Sequence, residues 1–252
     1  MEMTRHFVEK PWGRIDIPDA FRAPAGQRIG EIWYETHDDA PLPLLVKWLF
    51  TSKKLSIQVH PSNAQAEARG LPSGKEECWY VVDAEPDARI GIGTLRPLDA
   101  EELRAASLSG DIEALMDWKA VVPGSFFYIP AGTVHAIGAG VTLVEVQQYA
   151  DITYRLYDYG RPRELHLDDG VAVSEAAPYT DARSGVAQGN AELVKSEFFK
   201  LWLVADENGL KNIPDNCLRW WVPLSGDTLG SCTLVPAHCP IPFVGKMLVA
   251  AV

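Results

Sequence analysis

No apolar run in the 252-residue sequence approaches the ~18–20 residues that a membrane-spanning helix needs, so a bilayer is not expected as a partner. Cysteine is scarce: Cys78, Cys217, Cys232 and Cys239 form no CxxC pair and suggest no disulfide framework. The first residues, Met1-Glu2-Met3-Thr4-Arg5-His6, are not followed by an apolar segment, so no signal peptide is expected and a cytoplasmic protein is the starting point. Positive charge is also short, with 23 Lys plus Arg against 34 Asp plus Glu and a net charge of −11. Such a field repels a phosphate backbone and argues against nucleic acid. A small anionic substrate would need a local cluster of basic residues. There is no internal repeat and no low-complexity tract.

What is present is punctuation. Twenty glycines and 18 prolines cut the chain into short runs rich in Val, Ile, Leu, Phe, Tyr and Trp. Leu44 to Phe50, Leu55 to His60, Trp79 to Val82, Ser125 to Ile129, Val141 to Val146, Phe198 to Val204 and Arg219 to Pro223 read as strands of an all-β sandwich or barrel. Helical signals are few. Leu98 to Trp118 carries the N-cap pattern Asp99…Glu102, a break at Ser109-Gly110, and a second apolar face at Ile112, Leu115 and Met116. A shorter turn is expected from Ser62 to Arg69. Residues 1–175 are read as one domain, 176–190 as a linker and 191–252 as a smaller β unit, near the lower limit for an independent core and expected to pack on the first.

The chemistry concentrates on a few strands. In Leu55-Ser56-Ile57-Gln58-Val59-His60-Pro61 the alternation is strict, so Ser56, Gln58 and His60 share a face. By itself this is equally an ordinary half-solvated strand with a histidine. In Lys75-Glu76-Glu77-Cys78-Trp79, Glu77 follows Trp79 while Glu76 points oppositely. Gly124 to His135 is an apolar strand, a Pro-Ala-Gly turn and then a histidine at the start of the next strand. Gln58, His60, Glu77 and His135 together make a nitrogen and oxygen ligand set without thiolate, suited to Zn²⁺, Mn²⁺, Fe²⁺ or Co²⁺ in a catalytic site with open positions.

The Gly124–His135 segment resembles the second cupin motif, with Ala139 where an Asn is usual. Gln58-Val59-His60-Pro61 resembles the type I mannose-6-phosphate isomerases, zinc-dependent cupins. So do Pro43 to Lys47, the Lys-x-Glu of Lys75 to Glu77, Val144 to Gln148, Thr153 to Asp158 and Arg163 to Leu167. The similarity spans roughly residues 7 to 170 and is weak beyond 190. It implies a cupin-type barrel (jelly roll) with short helical insertions and a degenerate C-terminal cupin-like unit. It further implies one Zn²⁺ per chain on Gln58, His60, Glu77 and His135, and interconversion of mannose 6-phosphate and fructose 6-phosphate through a cis-enediol. Arg155 is then the active-site arginine, Lys75 and Glu145 line the substrate pocket, and Ser56 and Lys47 lie near it.

Alternation in Leu143-Val144-Glu145-Val146 turns Glu145 away from the valines, which makes it a candidate general base. An ammonium beside a metal tends to have a lowered pKa, so Lys75 suits proton transfer to sugar oxygens. Arg155 can clamp phosphate or enediolate oxygens at two points. Arg161 and Arg163 are open between phosphate capture and surface charge. His6, His37, His166 and His238 lack a converging context, and the tyrosines 149, 154, 157 and 159 are given no role. Two other readings remain: a different metal-dependent cupin enzyme such as an Fe²⁺ oxygenase, and a non-catalytic sugar-binding or regulatory cupin.

Overall fold

A computed structural model describes residues 1–37 and 42–252. It is all-β, with every strand pairing antiparallel and the strands gathered into three sheets. The central sheet has seven strands, in spatial order Thr4–Arg14, Ile29–Glu35, Leu44–Phe50, Val141–Gln148, Glu77–Ala84, Ser125–Ile129 and Gly185–Val186. A five-stranded sheet covers one of its faces, in the order Tyr154–Tyr157, Ile57–Val59, His135–Ile137, Arg89–Thr94 and Met116–Ala120. The C-terminal sheet covers the other, in the order Ala191–Lys195, Lys200–Val204, Met247–Ala251, Arg219–Pro223 and Thr233–Val235.

Alternation along Val141–Gln148 shows how the layers divide. Val144 and Val146 join a core shared with Leu201, Leu203, Trp220 and Leu248 of the C-terminal sheet. Leu143 points the other way, into a core with Ile90, Ile92, Trp79 and Phe127. All eight residues of this strand are buried because both faces are covered, its polar Thr142, Glu145, Gln147 and Gln148 included.

Among the described residues the C-terminal sheet stays open, with Ala191–Lys195 and Thr233–Val235 as its two edges. Its outer face, with Trp202, Trp221 and Val249, is covered by the turn around Leu210 and Ile213 and by Ile241 and Phe243. Arg219, buried in this sheet, donates from Nη2 to the carbonyls of Pro236 (2.7 Å) and Cys239 (2.8 Å) and so pins that covering loop. The chain's N-terminus is fastened to the same sheet through Met3 N–H to Cys232 O, 2.9 Å.

Three local expectations differ in detail. The helix capped by Asp99 runs Ala100–Ser109, and a second covers Ile112–Leu115, but Met116 begins a strand instead of completing the helical face. Its backbone pairs with Thr94, and Met116 is buried among Leu103, Ile112 and Ala136. The expected strand Leu55 to His60 is regular only over Ile57–Val59. Residues 176–190 are strapped to the first layers: Thr94 N–H donates to Ala177 O (3.0 Å), Leu98 N–H to Ala176 O (2.9 Å), and Gly185–Val186 extends the central sheet.

Candidate metal centre and substrate cleft

The candidate site residues face one another across the gap between the central sheet and its five-stranded partner. Glu77, Lys47 and Glu145 come from the central sheet, and Gln58, His135 and Arg155 from the other. Register aligns them: Gln58 lies opposite His135 on one side and Arg155 on the other. Gly132, at φ 86°, makes the turn before His135, and its N–H bonds the His60 carbonyl at 2.8 Å, tying the two histidine segments together. Gly74 allows the other close approach. A Cβ there would lie 2.4 Å from the Ser62 carbonyl carbon, and Lys75 N–H donates to Pro61 O at 3.0 Å.

His60, Glu77 and His135 are all buried, with ligand atoms within 4.8 Å of one another. His60 Nε2 lies 3.6 Å and His135 Nε2 3.5 Å from the Glu77 carboxylate. Each imidazole is oriented from behind, His60 Nδ1 on Ile152 O at 2.7 Å and His135 Nδ1 on Thr133 O at 2.8 Å. With Nδ1–H donating to those carbonyls, each Nε2 lone pair faces inward, the arrangement metal-binding histidines adopt. Burial lowers His60 to about 4, and burial lowers His135 as well, so both are neutral at neutral pH. Neither Glu77 oxygen accepts a well-directed hydrogen bond, although both are buried. Burial alone would raise Glu77, but the Lys75 ammonium 2.7 Å away holds it well below the usual carboxylate range. Two neutral imidazoles and an under-satisfied carboxylate converging on one point fit a divalent metal ion.

Gln58 adjoins this group, its Nε2 3.3 Å from His135 Nε2, while its Oε1 accepts from Ser56 Oγ at 3.1 Å. To serve as an oxygen ligand the amide must turn over, an exchange of O and N that Ser56 tolerates because a hydroxyl both donates and accepts. Ser56 thus touches the amide of Gln58.

Lys75 lies 2.7 Å from Glu77, 3.4 Å from His60 Nε2 and 3.7 Å from Glu145. Its expected lowered pKa is not what these neighbours produce. Burial pulls the ammonium down, but Glu145 and Glu77 outweigh it and raise Lys75 above its ordinary value. Lys47 lies 3.2 Å from Glu145, whose second oxygen accepts from Trp79 Nε1 at 2.9 Å.

A cleft of about 270 Å³ opens over Gln58, Lys75 and Glu145. Lys10, Lys47, Lys75, Arg155 and Arg163 all line it, an accumulation of cations in a protein of net charge −11. Arg155 is half-buried, with Nη1 donating to Glu164 O at 2.7 Å and Nε buried without a partner. Burial and the nearby Arg163 lower its pKa. His166 brackets it, accepting from Arg155 N–H at 3.2 Å and donating its own N–H to Arg155 O at 2.8 Å, a context sequence reading did not find. Also unforeseen were Lys10 and Glu31, 3.3 Å apart at the cleft, and Asp158, which holds Arg161 and Arg163 together. Arg163 reaches the cleft lining and Arg161 does not.

No family model matches the chain. Among curated proteins it is 35% identical over 208 residues to mannose-6-phosphate isomerase ManA of Bacillus subtilis, covering 67% of this chain and 66% of the relative. It is 34% identical over 241 residues to the probable mannose-6-phosphate isomerase GmuF of the same organism, covering 78% of this chain and 76% of the relative. The chain belongs to the mannose-6-phosphate isomerase family. The match to ManA thus spans just under two thirds of that relative's length. A solved B. subtilis mannose 6-phosphate isomerase shares the fold over 100% of this chain and 99% of its own, with TM-score 0.80 and 26% identity. A zinc-bound family structure shares it at TM-score 0.67 and 14% identity. Among the described residues, no helix is long and apolar enough to cross a membrane.

Proposed function

We propose that the protein is a metal-dependent isomerase interconverting mannose 6-phosphate and fructose 6-phosphate. The observation that carries this reading is the convergence of His60, Glu77 and His135 beneath a cation-lined cleft that also holds Lys75, Glu145 and Arg155. His60, Glu77, His135 and a turned Gln58 would hold one Zn²⁺, with Mn²⁺, Fe²⁺ or Co²⁺ as substitutes. When bound, such an ion supplies charge neutralisation at the sugar oxygens as the cis-enediol forms.

The other residues move protons and hold the substrate. Glu145 takes the C2 proton and returns it to C1 on the same face; its carboxylate is buried at the cleft wall, where water does not compete. Lys75, kept charged by two carboxylates, donates to the sugar oxygens. Its role is that of a charged hydrogen-bond donor, since a raised pKa keeps the proton on the ammonium and leaves no free amine to act as a base. Arg155 offers an unpartnered Nε and a planar fork for phosphate or enediolate oxygens. Lys47 and Ser56 complete the wall, Lys47 on Glu145 and Ser56 on Gln58. A phosphorylated hexose accounts for the basic lining better than a neutral sugar. The four free cysteines suit a reducing cytoplasm. A coupled assay following mannose 6-phosphate to fructose 6-phosphate, with metal content determined on the same sample, tests the reading. No turnover by metal-loaded protein would refute it.

A further inference from the structure

One row of cross-strand neighbours runs through the central sheet: Trp33 opposite Lys47, Lys47 opposite Glu145, and Glu145 opposite Trp79. Directly opposed residues share a sheet face and touch. Two ions are therefore bracketed by two indoles. Trp79 fixes Glu145 through its N–H, at 2.9 Å. Trp33 meets Lys47 with its ring, the ammonium lying 4.6 Å from the ring centroid and 3.2 Å from Glu145 Oε1. Trp33 is itself held, donating Nε1–H to Glu31 Oε2 at 2.5 Å, while Glu31 Oε1 pairs with Lys10 at 3.3 Å.

The arrangement solves a problem specific to lysine. A flexible four-carbon stem delivers the ammonium as a point charge without preferred direction, whereas an indole face attracts it to one place. Lys47 is buried, so water screens that attraction little. We infer that Trp33 is a positioning residue of the isomerase: its ring fixes the Lys47 ammonium against Glu145, so that the pair meets substrate in one geometry. Trp33 acts through Lys47 and does not itself touch substrate. The inference rests on the isomerase reading for its effect on turnover and on cross-strand geometry for the contact itself.

A double-mutant cycle tests it. Steady-state kinetics with mannose 6-phosphate are measured for the wild type, Trp33→Leu, Lys47→Ala and the double variant at equal metal content. Trp33→Leu lowers kcat/KM about tenfold, within the range a desolvated cation–π contact supports, but less than about twofold in the Lys47→Ala background. Trp33→Phe, which keeps a ring, stays within about threefold of wild type. Equal losses in both backgrounds, or no loss on Trp33→Leu, would overturn the inference. If Trp33→Leu does not fold, the same cycle with Trp33→Phe decides, since its smaller loss must also vanish without Lys47. A wild type without isomerase activity would sink the functional reading separately. The contact is then read by NMR from the Lys47 ε-methylene protons, shifted upfield by the Trp33 ring, less shifted in Trp33→Phe and returning to the ordinary lysine position in Trp33→Leu. An unshifted wild-type resonance would overturn the inference whatever the activity.

Discussion

Asp158→Ala removes one small carboxylate that four nitrogen contacts depend on. Arg161 reaches Asp158 Oδ1 through Nε at 3.0 Å and Nη2 at 2.5 Å, and Arg163 reaches Oδ2 through Nε and Oδ1 through Nη2, both at 2.6 Å. The Asp158 side chain is 2% exposed, its partners 18% and 26%. Removing one partner from a fully buried pair costs about 3–5 kcal/mol, because a charge is left behind without compensation. Here the stranded charges are arginines that water already reaches, so the expected loss is smaller, about 2–3 kcal/mol. For a chain of this size that corresponds to a fall in Tm of about 5–10 °C. The kinetic consequence is separate. Arg163 lines the cleft, and Asp158 is the partner its guanidinium has among the described residues, so without it KM for mannose 6-phosphate should rise several-fold while metal content stays constant. Asp158→Asn keeps an acceptor and the shape, and should fall between. Calorimetry and steady-state kinetics on the same preparations check both parts. A Tm within about 1 °C of wild type would show that the arginines rehydrate freely and that Asp158 is no structural anchor.

His60→Ala should lose metal and activity together, whereas Arg155→Ala should keep the metal yet lower kcat/KM by about 10²–10³, with lysine rescuing only part; elemental analysis alongside kinetics separates the two. Arg155→Ala with full activity would remove that residue from the mechanism. Free mannose should be a much poorer substrate than mannose 6-phosphate, because the basic cleft lining has little to bind in a neutral sugar; comparable kcat/KM values for the two would contradict this. Gly74→Ala should destabilise by about 1–3 kcal/mol and impair turnover, since a methyl group 2.4 Å from the Ser62 backbone must push aside the segment that carries Lys75; an unchanged urea midpoint would show that the loop gives way freely.

Much of the architecture follows from local pattern. Strict alternation from Leu55 to His60 put Ser56, Gln58 and His60 on one face, and the structure finds Gln58 and Ser56 in contact and His60 beside Glu77. Alternation likewise separated Glu145, which lines the cleft, from Val144 and Val146, which share the core on the opposite face of the sheet. Local pattern fails where the fold imposes something on a neutral stretch. Nothing in the composition of residues 176–190 announces that Gly185–Val186 will pair with Ser125 and Phe126, because a two-residue strand has no period to detect. Met116 fits a helical face as well as a strand, and the choice fell to Thr94, its cross-strand partner.

The site shows the same division at closer range. A residue type names a possible ligand, but only register says whether it meets another. Glu31 is an ordinary strand carboxylate and Lys10 an ordinary strand lysine, each equally at home in solvent. They become cleft residues because antiparallel pairing brings the first two strands beside Leu44–Phe50 and the opposing sheet leaves a gap there. Asp158 is similar: its motif drew notice to Arg155, yet the buried carboxylate is what binds two arginines into one unit. The Lys75 ammonium makes the point in electrostatic terms. A metal ion at this site argues for a lowered pKa, while the protein's own carboxylates act in the opposite direction. Glu77 is two residues away in sequence and foreseeable, but Glu145 arrives from a strand far along the chain, and the two carboxylates together overcome the burial penalty. Charges placed by long-range pairing set the field that the protein itself exerts on Lys75, and such charges are the ones a linear reading has no means to sum.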